Sequence, residues 1–235
     1  FWRAFQNTIV ISLMKLMVGF PFPILLSLMI NEVRSRGYKR TIQTVYTFPH
    51  FLSWVVVAGI ALNLFGDSGA VKKVAVMLNP QLQNSWNFLY NASFFRWLLV
   101  ALDIWKEAGW GTILYLAAIT GIDPSLYEAA TVDGANGWHK FRHITIPLSS
   151  PIIMYNLIMG LIGGFQTFLM PYLLTNGGPM ASTEFYAMHL YRNAFELFRM
   201  GKACALAWLM FMVLAAFTII IFRTSARWVF YGGEK

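Results

Sequence analysis

Long apolar runs separated by short polar segments dominate this chain. A helix needs roughly 20 apolar residues to cross a hydrocarbon core, and five runs reach that length, at residues 8–30, 45–65, 94–118, 152–174 and 203–222. Pro21, Pro23 and Pro49 interrupt the first two runs, which membrane helices tolerate when neighbouring helices satisfy the freed carbonyls. The pattern predicts an all-α integral membrane protein, a polytopic bundle with five spans.

Composition supports this interpretation. Hydrophobic residues make up 57% of the chain and charged residues 12%, whereas soluble domains carry about 25% charged residues. The formal net charge of +8 raises the possibility of nucleic-acid binding. However, Lys and Arg sit mainly in the short gaps between apolar runs, as in inner-membrane proteins. We therefore expect lipid as a partner and no nucleic acid.

The gap after the first run sets the orientation. Arg34, Arg36, Lys39 and Arg40 lie within seven residues there, and such clusters mark the cytoplasmic side. Alternation then places residues 122–151 and the tail after residue 222 inside as well. The outer segments, 66–93 and 181–202, also carry basic residues, so the orientation rests mainly on the first cluster.

Candidate catalytic groups are sparse. Cys204 is the single cysteine, and the four histidines are scattered, at positions 50, 139, 143 and 189. We find no cluster at metal-ligand spacing and no Gly-rich phosphate loop of the GxxxxGK[ST] kind. The sequence predicts a chain that is not an enzyme, with no catalytic residue, no metal site and no cofactor of its own.

The inner segment 122–147 is too polar for a span and too patterned for a plain linker. Pro124 can begin a short helix, with Ser125 or Asp123 as its cap. Glu128 follows in the first turns, where the helix dipole favours an acid. Gly134 allows a tight turn. We expect a short helix that projects from the membrane bundle.

This segment resembles the EAA loop of type I ATP-binding-cassette import permeases. The matching residues are Glu128, Ala129, Ala130, Asp133, Gly134 and Ala135, followed by Ile144 and Pro147 in "ITIP". The resemblance implies that the helix docks in a cleft of an ATPase subunit, that Glu128 pairs with a basic residue there, and that nucleotide-driven closure reaches the bundle. ATP and Mg would then be bound by the partner ATPase subunits.

A second match narrows the class. "LLTNGGP", at residues 173–179, is similar to a turn of the maltose and glycerol-phosphate carbohydrate permeases, in their first-type subunit, and residues 31–60 resemble the branch that imports complex oligosaccharides. Residues 1–235 would then be one permease domain in a prokaryotic cell membrane. The resemblance implies a second permease subunit, two ATPase subunits and an extracytoplasmic substrate-binding protein. Since that family core has six spans, we expect a first span upstream of this chain.

Ionisable residues inside the third run are candidates for the substrate site. Asp103, Lys106, Glu107 and Trp110 share one helix face by spacing, and intramembrane charges suggest function or mutual pairing. These positions match the sugar pocket of maltose permeases, where most residues are neutral. The alternative is a self-neutralising pair of Lys106 with Asp103 or Glu107.

The fourth run adds Gly160, Gly163, Gly164 and Gln166 as candidate pocket residues. The glycines match positions that carry bulkier side chains in maltose permeases. Close helix packing is an equally good explanation of small residues. If both sets line the pocket, it is wide and charged, and an oligosaccharide, even an acidic one facing Lys106, fits it.

Two other functions stay open. A permease of the same family for a non-sugar solute would share the loop but not "LLTNGGP". A secondary transporter or channel would need no ATPase, and the EAA-like loop argues against it. The sequence therefore favours the permease subunit of an importer for a sugar or oligosaccharide.

Overall fold

The computed structural model describes residues 1–33, 35–83 and 88–230; Arg34 of the basic cluster lies outside them. Every regular element in this described part is helical. The α-helices are α1 (Trp2–Gly19), α2 (Pro21–Asn31), α3 (Arg36–Thr47), α4 (Trp54–Phe65), α5 (Ala70–Leu78), α6 (Ala92–Thr120), α7 (Pro124–Val132), α8 (Gly137–Lys140), α9 (Ile146–Phe165), α10 (Leu169–Thr175), α11 (Tyr186–Tyr191) and α12 (Met200–Ser225). Short 3₁₀ segments lie at Phe48–Phe51, Pro80–Gln83, Phe88–Tyr90 and Pro179–Ala181, and π-helical turns at Phe141–Thr145 and Arg192–Glu196.

The chain is an all-α integral membrane protein. Four helical stretches among the described residues are long and apolar enough to cross a membrane: Trp2–Asn31, Trp54–Leu78, Gly137–Thr175 and Met200–Ser225. The third predicted span corresponds to α6, whose 29 residues are long enough to cross. It is not among the four because it carries several charged side chains. Five crossings therefore remain a prediction.

Proline and broken helices shape the spans. The first run bends between α1 and α2, where Pro21 begins the second helix. In the second run, Pro49 lies in a 3₁₀ turn and the apolar helix begins only at Trp54, so the expected start at residue 45 is wrong. The fourth run also breaks, between Phe165 and Leu169. These breaks bring irregular backbone to the middle of the bundle, where neighbouring helices can satisfy it.

Helix α6 is the centre of the bundle and packs against α1, α2, α3 and α9. Its buried side chains include Phe95 and Leu99, which join Ile11 of α1 in the core. At Gly109 the backbone of α6 comes so close to α3 that a Cβ atom would overlap the carbonyl oxygen of Tyr46. Only glycine permits this approach, so Gly109 fixes where the two helices cross.

Helix α12 lies at the edge of the bundle. Only Ala203, Leu206 and Ser225 of this 26-residue helix are buried. Most of its large apolar side chains, such as Trp208 and Phe211, are exposed. In water this surface would be unfavourable, and it fits a membrane-spanning helix whose outer faces meet lipid or another membrane subunit.

Candidate functional site

A cavity of about 640 Å³ opens in the bundle between α1, α2, α4, α6, α9 and α10. Seven of the eight residues predicted for the substrate site line its wall: Asp103, Glu107, Trp110, Gly160, Gly163, Gly164 and Gln166. The helix break after Phe165 brings Gln166, Thr167 and Phe168 to this wall. Pockets of this size with few polar groups are typical small-molecule sites. Substrate binding by these residues stays a prediction.

The sequence interpretation missed Lys15 of α1, which also borders the cavity. Its Nζ donates to Asp103 Oδ1 at 2.8 Å and to Thr167 Oγ1 at 3.0 Å. The ammonium therefore joins α1, α6 and the break between α9 and α10. An intramembrane lysine is costly and needs a partner; this rule, applied to the first apolar run, would have pointed to Lys15.

Lys106 is the predicted residue that does not line the cavity. Its Nζ donates to the backbone carbonyl oxygen of His50 at 2.8 Å and to Glu107 Oε1 at 3.1 Å, and it lies 5.0 Å from the centre of the Trp54 ring. The alternative pairing of Lys106 with Glu107 is thus observed. An acidic sugar held by Lys106 has no support in this geometry, because the ammonium is turned into the protein.

Glu107 and Trp110 are ordered by His50, which precedes the α4 helix. His50 Nδ1 lies 2.7 Å from Glu107 Oε2. The imidazole also stacks on Trp110, with ring centroids 4.9 Å apart and planes 9° apart. Trp110 keeps 45% of its surface exposed. The His50 ring thus covers one face of the Trp110 indole, and Trp110 still borders the cavity.

The three glycines of α9 have different surroundings. A Cβ at Gly164 would lie 3.1 Å from the Ser12 side chain, so this glycine allows close packing of α9 on α1. A Cβ at Gly160 would make an ordinary contact with Leu16, and one at Gly163 would meet open space. Close packing therefore explains Gly164, and Gly163 is the position where absence of a side chain widens the cavity.

The second predicted site is the segment 122–147, which we call the coupling loop. Asp123 caps α7 by accepting a hydrogen bond from the Ser125 backbone N–H at 2.9 Å, so the cap is Asp123 and not Ser125. Hydrogen bonds from the backbone and then the side chain of Ser125 lower the pKa of Asp123 from its ordinary value of 3.8. Helix α7 has no buried residue.

The predicted coupling residues lie on α7 and the turn after it. Gly134 has φ +77° and open space around its Cβ position, so backbone conformation alone favours glycine there. Ala130, Asp133, Gly134 and Ala135 border a surface hollow of about 370 Å³. Glu128 is exposed, and its carboxylate makes no hydrogen bond or ion pair with any residue that the structure describes. It is free to meet another chain.

Hydrogen bonds within the coupling loop hold α7 against the residues that lead into α9. Tyr127 Oη lies 2.9 Å from Thr145 Oγ1, and Lys140 Nζ donates to Thr131 Oγ1 at 2.7 Å. Helix α8 continues through the π-helical turn Phe141–Thr145 directly into α9. Across residues 1–33, 35–83 and 88–230, no group of three or more His, Cys, Asp or Glu side chains is placed to hold a metal ion.

Comparison with known proteins fits this geometry. The family model described as "Binding-protein-dependent transport system inner membrane component" matches residues 19–231. The chain belongs to this family. It is thus a multi-pass membrane component of a transport system, and the family is one of transport permeases.

Two relatives from one bacterium share more than a third of the aligned residues with this chain. Protein LplB of Bacillus subtilis (strain 168) is 39% identical over 194 residues, which are 81% of this chain and 60% of LplB. The Polygalacturonan/rhamnogalacturonan transport system permease protein YteP of the same strain is 39% identical over 193 residues, which are 81% of this chain and 59% of YteP. This chain therefore spans about three fifths of the length of these two curated relatives.

A solved structure of a transporter assembly contains a chain that is similar to this one. It is the crystal structure of a bacterial alginate ABC transporter in complex with an alginate pentasaccharide-bound periplasmic protein. One of its chains is 34% identical to this one, with a TM-score of 0.86, over 97% of this chain and 78% of that chain. The bundle described above is therefore the fold of an ABC importer permease.

Proposed function

We propose that this chain is the transmembrane permease subunit of an ATP-binding-cassette importer for a sugar or oligosaccharide. The observation that carries the proposal is Glu128, which is exposed and has no partner among the described residues, on the short helix α7 between α6 and the continuous path of α8 into α9. Family membership supports the transport role, and the names of YteP and of the alginate transporter support the substrate class. In this proposal residues 1–235 form one permease domain in the inner membrane of a prokaryote.

The proposed assembly contains a second permease subunit, two ATPase subunits that bind ATP and Mg, and an extracytoplasmic substrate-binding protein. The chain itself would carry out no catalysis. Substrate would pass by alternating access between the two permease halves, and the coupling loop would transmit closure of the ATPase subunits. The Glu128 carboxylate would pair with a basic residue of the ATPase cleft. Opposite charges on the two surfaces would make the docking of the two subunits specific.

The test is co-purification of the ATPase subunits with this chain from membranes. We expect Glu128→Lys to reverse the local charge and remove most of the bound ATPase, and Gly134→Ala to reduce it, because alanine strains a turn with positive φ. Glu196→Lys is the matched control, since Glu196 is also exposed but lies outside the loop. Unchanged ATPase recovery with Glu128→Lys, or equal loss with the control, would contradict the proposal.

A further inference from the structure

The charged side chains around the cavity are not presented to it equally. The carboxylate side chains are the more open members of their ion pairs: Asp103 is 27% exposed against 10% for Lys15, and Glu107 is 41% exposed against 6% for Lys106. Each pair is formally neutral. Asp103 and Glu107 both border the cavity, and in each pair the carboxylate is more exposed than the lysine.

Hydrogen bonds hold the carboxylates in this arrangement. Lys15 Nζ donates two hydrogen bonds, one to Asp103 and one to Thr167, out of the three that an ammonium group can donate. Asp103 Oδ2 has no hydrogen-bond partner among the residues that the structure describes, so it remains an open acceptor. Lys106 lies behind Glu107 and is fixed by the His50 carbonyl oxygen. Lys106 thus orients Glu107 from outside the cavity wall, and Lys15, which borders the cavity, is bound to Asp103 and Thr167.

The rest of the wall suits a sugar with hydroxyl groups. Asn156 and Gln166 add amide oxygens and N–H groups, while Trp54, Trp110 and Tyr115 add aromatic surface. A pyranose ring has apolar C–H faces, which pack on aromatic rings, and hydroxyl donors, which carboxylates accept strongly. A uronate would instead bring a carboxylate close to Asp103 and Glu107, where the repulsion is poorly screened by water.

We propose that the cavity selects neutral, hydroxyl-bearing sugar residues over uronates. Asp103 and Glu107 are the hydroxyl acceptors, and Lys15 and Lys106 are positioning residues that act through them. The inference rests on the proposed sugar-import function. It separates this chain from the similar transporters whose names refer to polygalacturonan and to the acidic polysaccharide alginate.

The first experiment measures direct binding to the assembled transporter in lipid nanodiscs, without the substrate-binding protein, so that the binding protein does not choose the sugar. The probes are an oligogalacturonate and the same oligomer with its carboxylates reduced to alcohols, titrated calorimetrically. We expect the reduced, neutral form to bind at least about tenfold more tightly. Equal or tighter binding of the acidic form would overturn the inference while leaving sugar import standing.

Variants then test the roles of the ion pairs. Asp103→Asn keeps an acceptor but frees Lys15, so the ratio of neutral to acidic affinity should fall by about fivefold. Lys15→Gln leaves Asp103 uncompensated, so the same ratio should rise. Asp67→Asn removes an exposed carboxylate outside the cavity wall and should leave the ratio unchanged. If Asp103 and Lys15 had a purely structural role, both variants would bind the neutral and the acidic probe more weakly by the same factor. That result would overturn the inference.

The outcomes also distinguish this inference from the proposed function. If neither form binds the wild-type transporter and neither stimulates ATP hydrolysis with its binding protein present, both proposals fail. If sugars are transported but the acidic form is preferred, only the selectivity inference fails. The comparison of neutral and acidic probes on the wild-type transporter tests the selectivity inference even if a variant does not assemble.

Discussion

The coupling loop and the cavity wall are held together in opposite ways. The loop is exposed and its bonds join near neighbours, such as Asp123 with Ser125 and Tyr127 with Thr145. The cavity wall joins distant parts of the chain: Lys15 and Thr167 are 152 positions apart. A local site of the first kind tolerates changes in the bundle, whereas a site of the second kind depends on the packing of every helix around it.

The packing of α6 should be the most sensitive test of this difference. Gly109→Ala would place a methyl group on the carbonyl oxygen of Tyr46, and we expect a loss of about 3 kcal/mol or more, because backbone must move to relieve the overlap. Thermal unfolding of the purified protein in detergent measures the effect. Gly59→Ala is the matched control, since no atom lies within 4 Å of its Cβ position. Equal midpoints for the two variants would contradict the close approach of α6 and α3.

The ion pair in the cavity should give an intermediate effect. Lys15→Met removes the partner of a largely buried carboxylate, and we expect a loss of about 2 kcal/mol, between the values for exposed and buried pairs. Adding Asp103→Asn should restore much of this stability, because the unpaired charge is gone. The same thermal assay on the two single variants and the double variant gives a double-mutant cycle, which measures the interaction between the two side chains. Additive losses would show that the two side chains do not interact.

The cap of α7 should give the smallest effect and leave the bundle unchanged. The folded pKa of Asp123 is lowered, so its stabilising contribution is present at neutral pH and is lost as the pH falls through the range below its ordinary value of 3.8. The protection of amides at the start of α7 against hydrogen exchange, measured relative to the intrinsic exchange rate at each pH, should fall over that acidic range. Asp123→Asn still caps but does not titrate, so its exchange should not show this step. A step of the same size in that variant would show that Asp123 is not the titrating group.

This contrast also explains which features of the two sites could be predicted from the sequence. The Asp123 cap, the turn at Gly134 and the short helix α7 follow from neighbouring residues and were predicted, apart from the choice between Asp123 and Ser125. Seven residues predicted for the substrate site border one cavity. Spacing places Asp103, Glu107 and Trp110 on one face of α6, and the resemblance to maltose permeases linked them with the residues of the fourth run. The Lys15 pair and the inward turn of Lys106 depend on how helices pack, and no local pattern contains that information.

The spans show the same limit. Apolar length alone predicted where helices cross, but the break after Phe165 has no proline to mark it. The start of the second apolar helix at Trp54, in contrast, has local signals: Pro49 lies in the 3₁₀ turn before it, and Ser53 caps the helix by accepting a hydrogen bond from the Val56 backbone N–H.

The direct continuation of α8 into α9 has a geometrical consequence. From Gly137 to Gly160 the helical path is about 35 Å long at 1.5 Å per residue, and its upper part forms the cavity wall. If the path tilts as one body about its lower end, a rotation of about 10° shifts Gly160 by about 6 Å, more than one helical turn. A modest rotation about the coupling-loop end of this path is therefore large enough to change the width of the cavity by about one sugar ring.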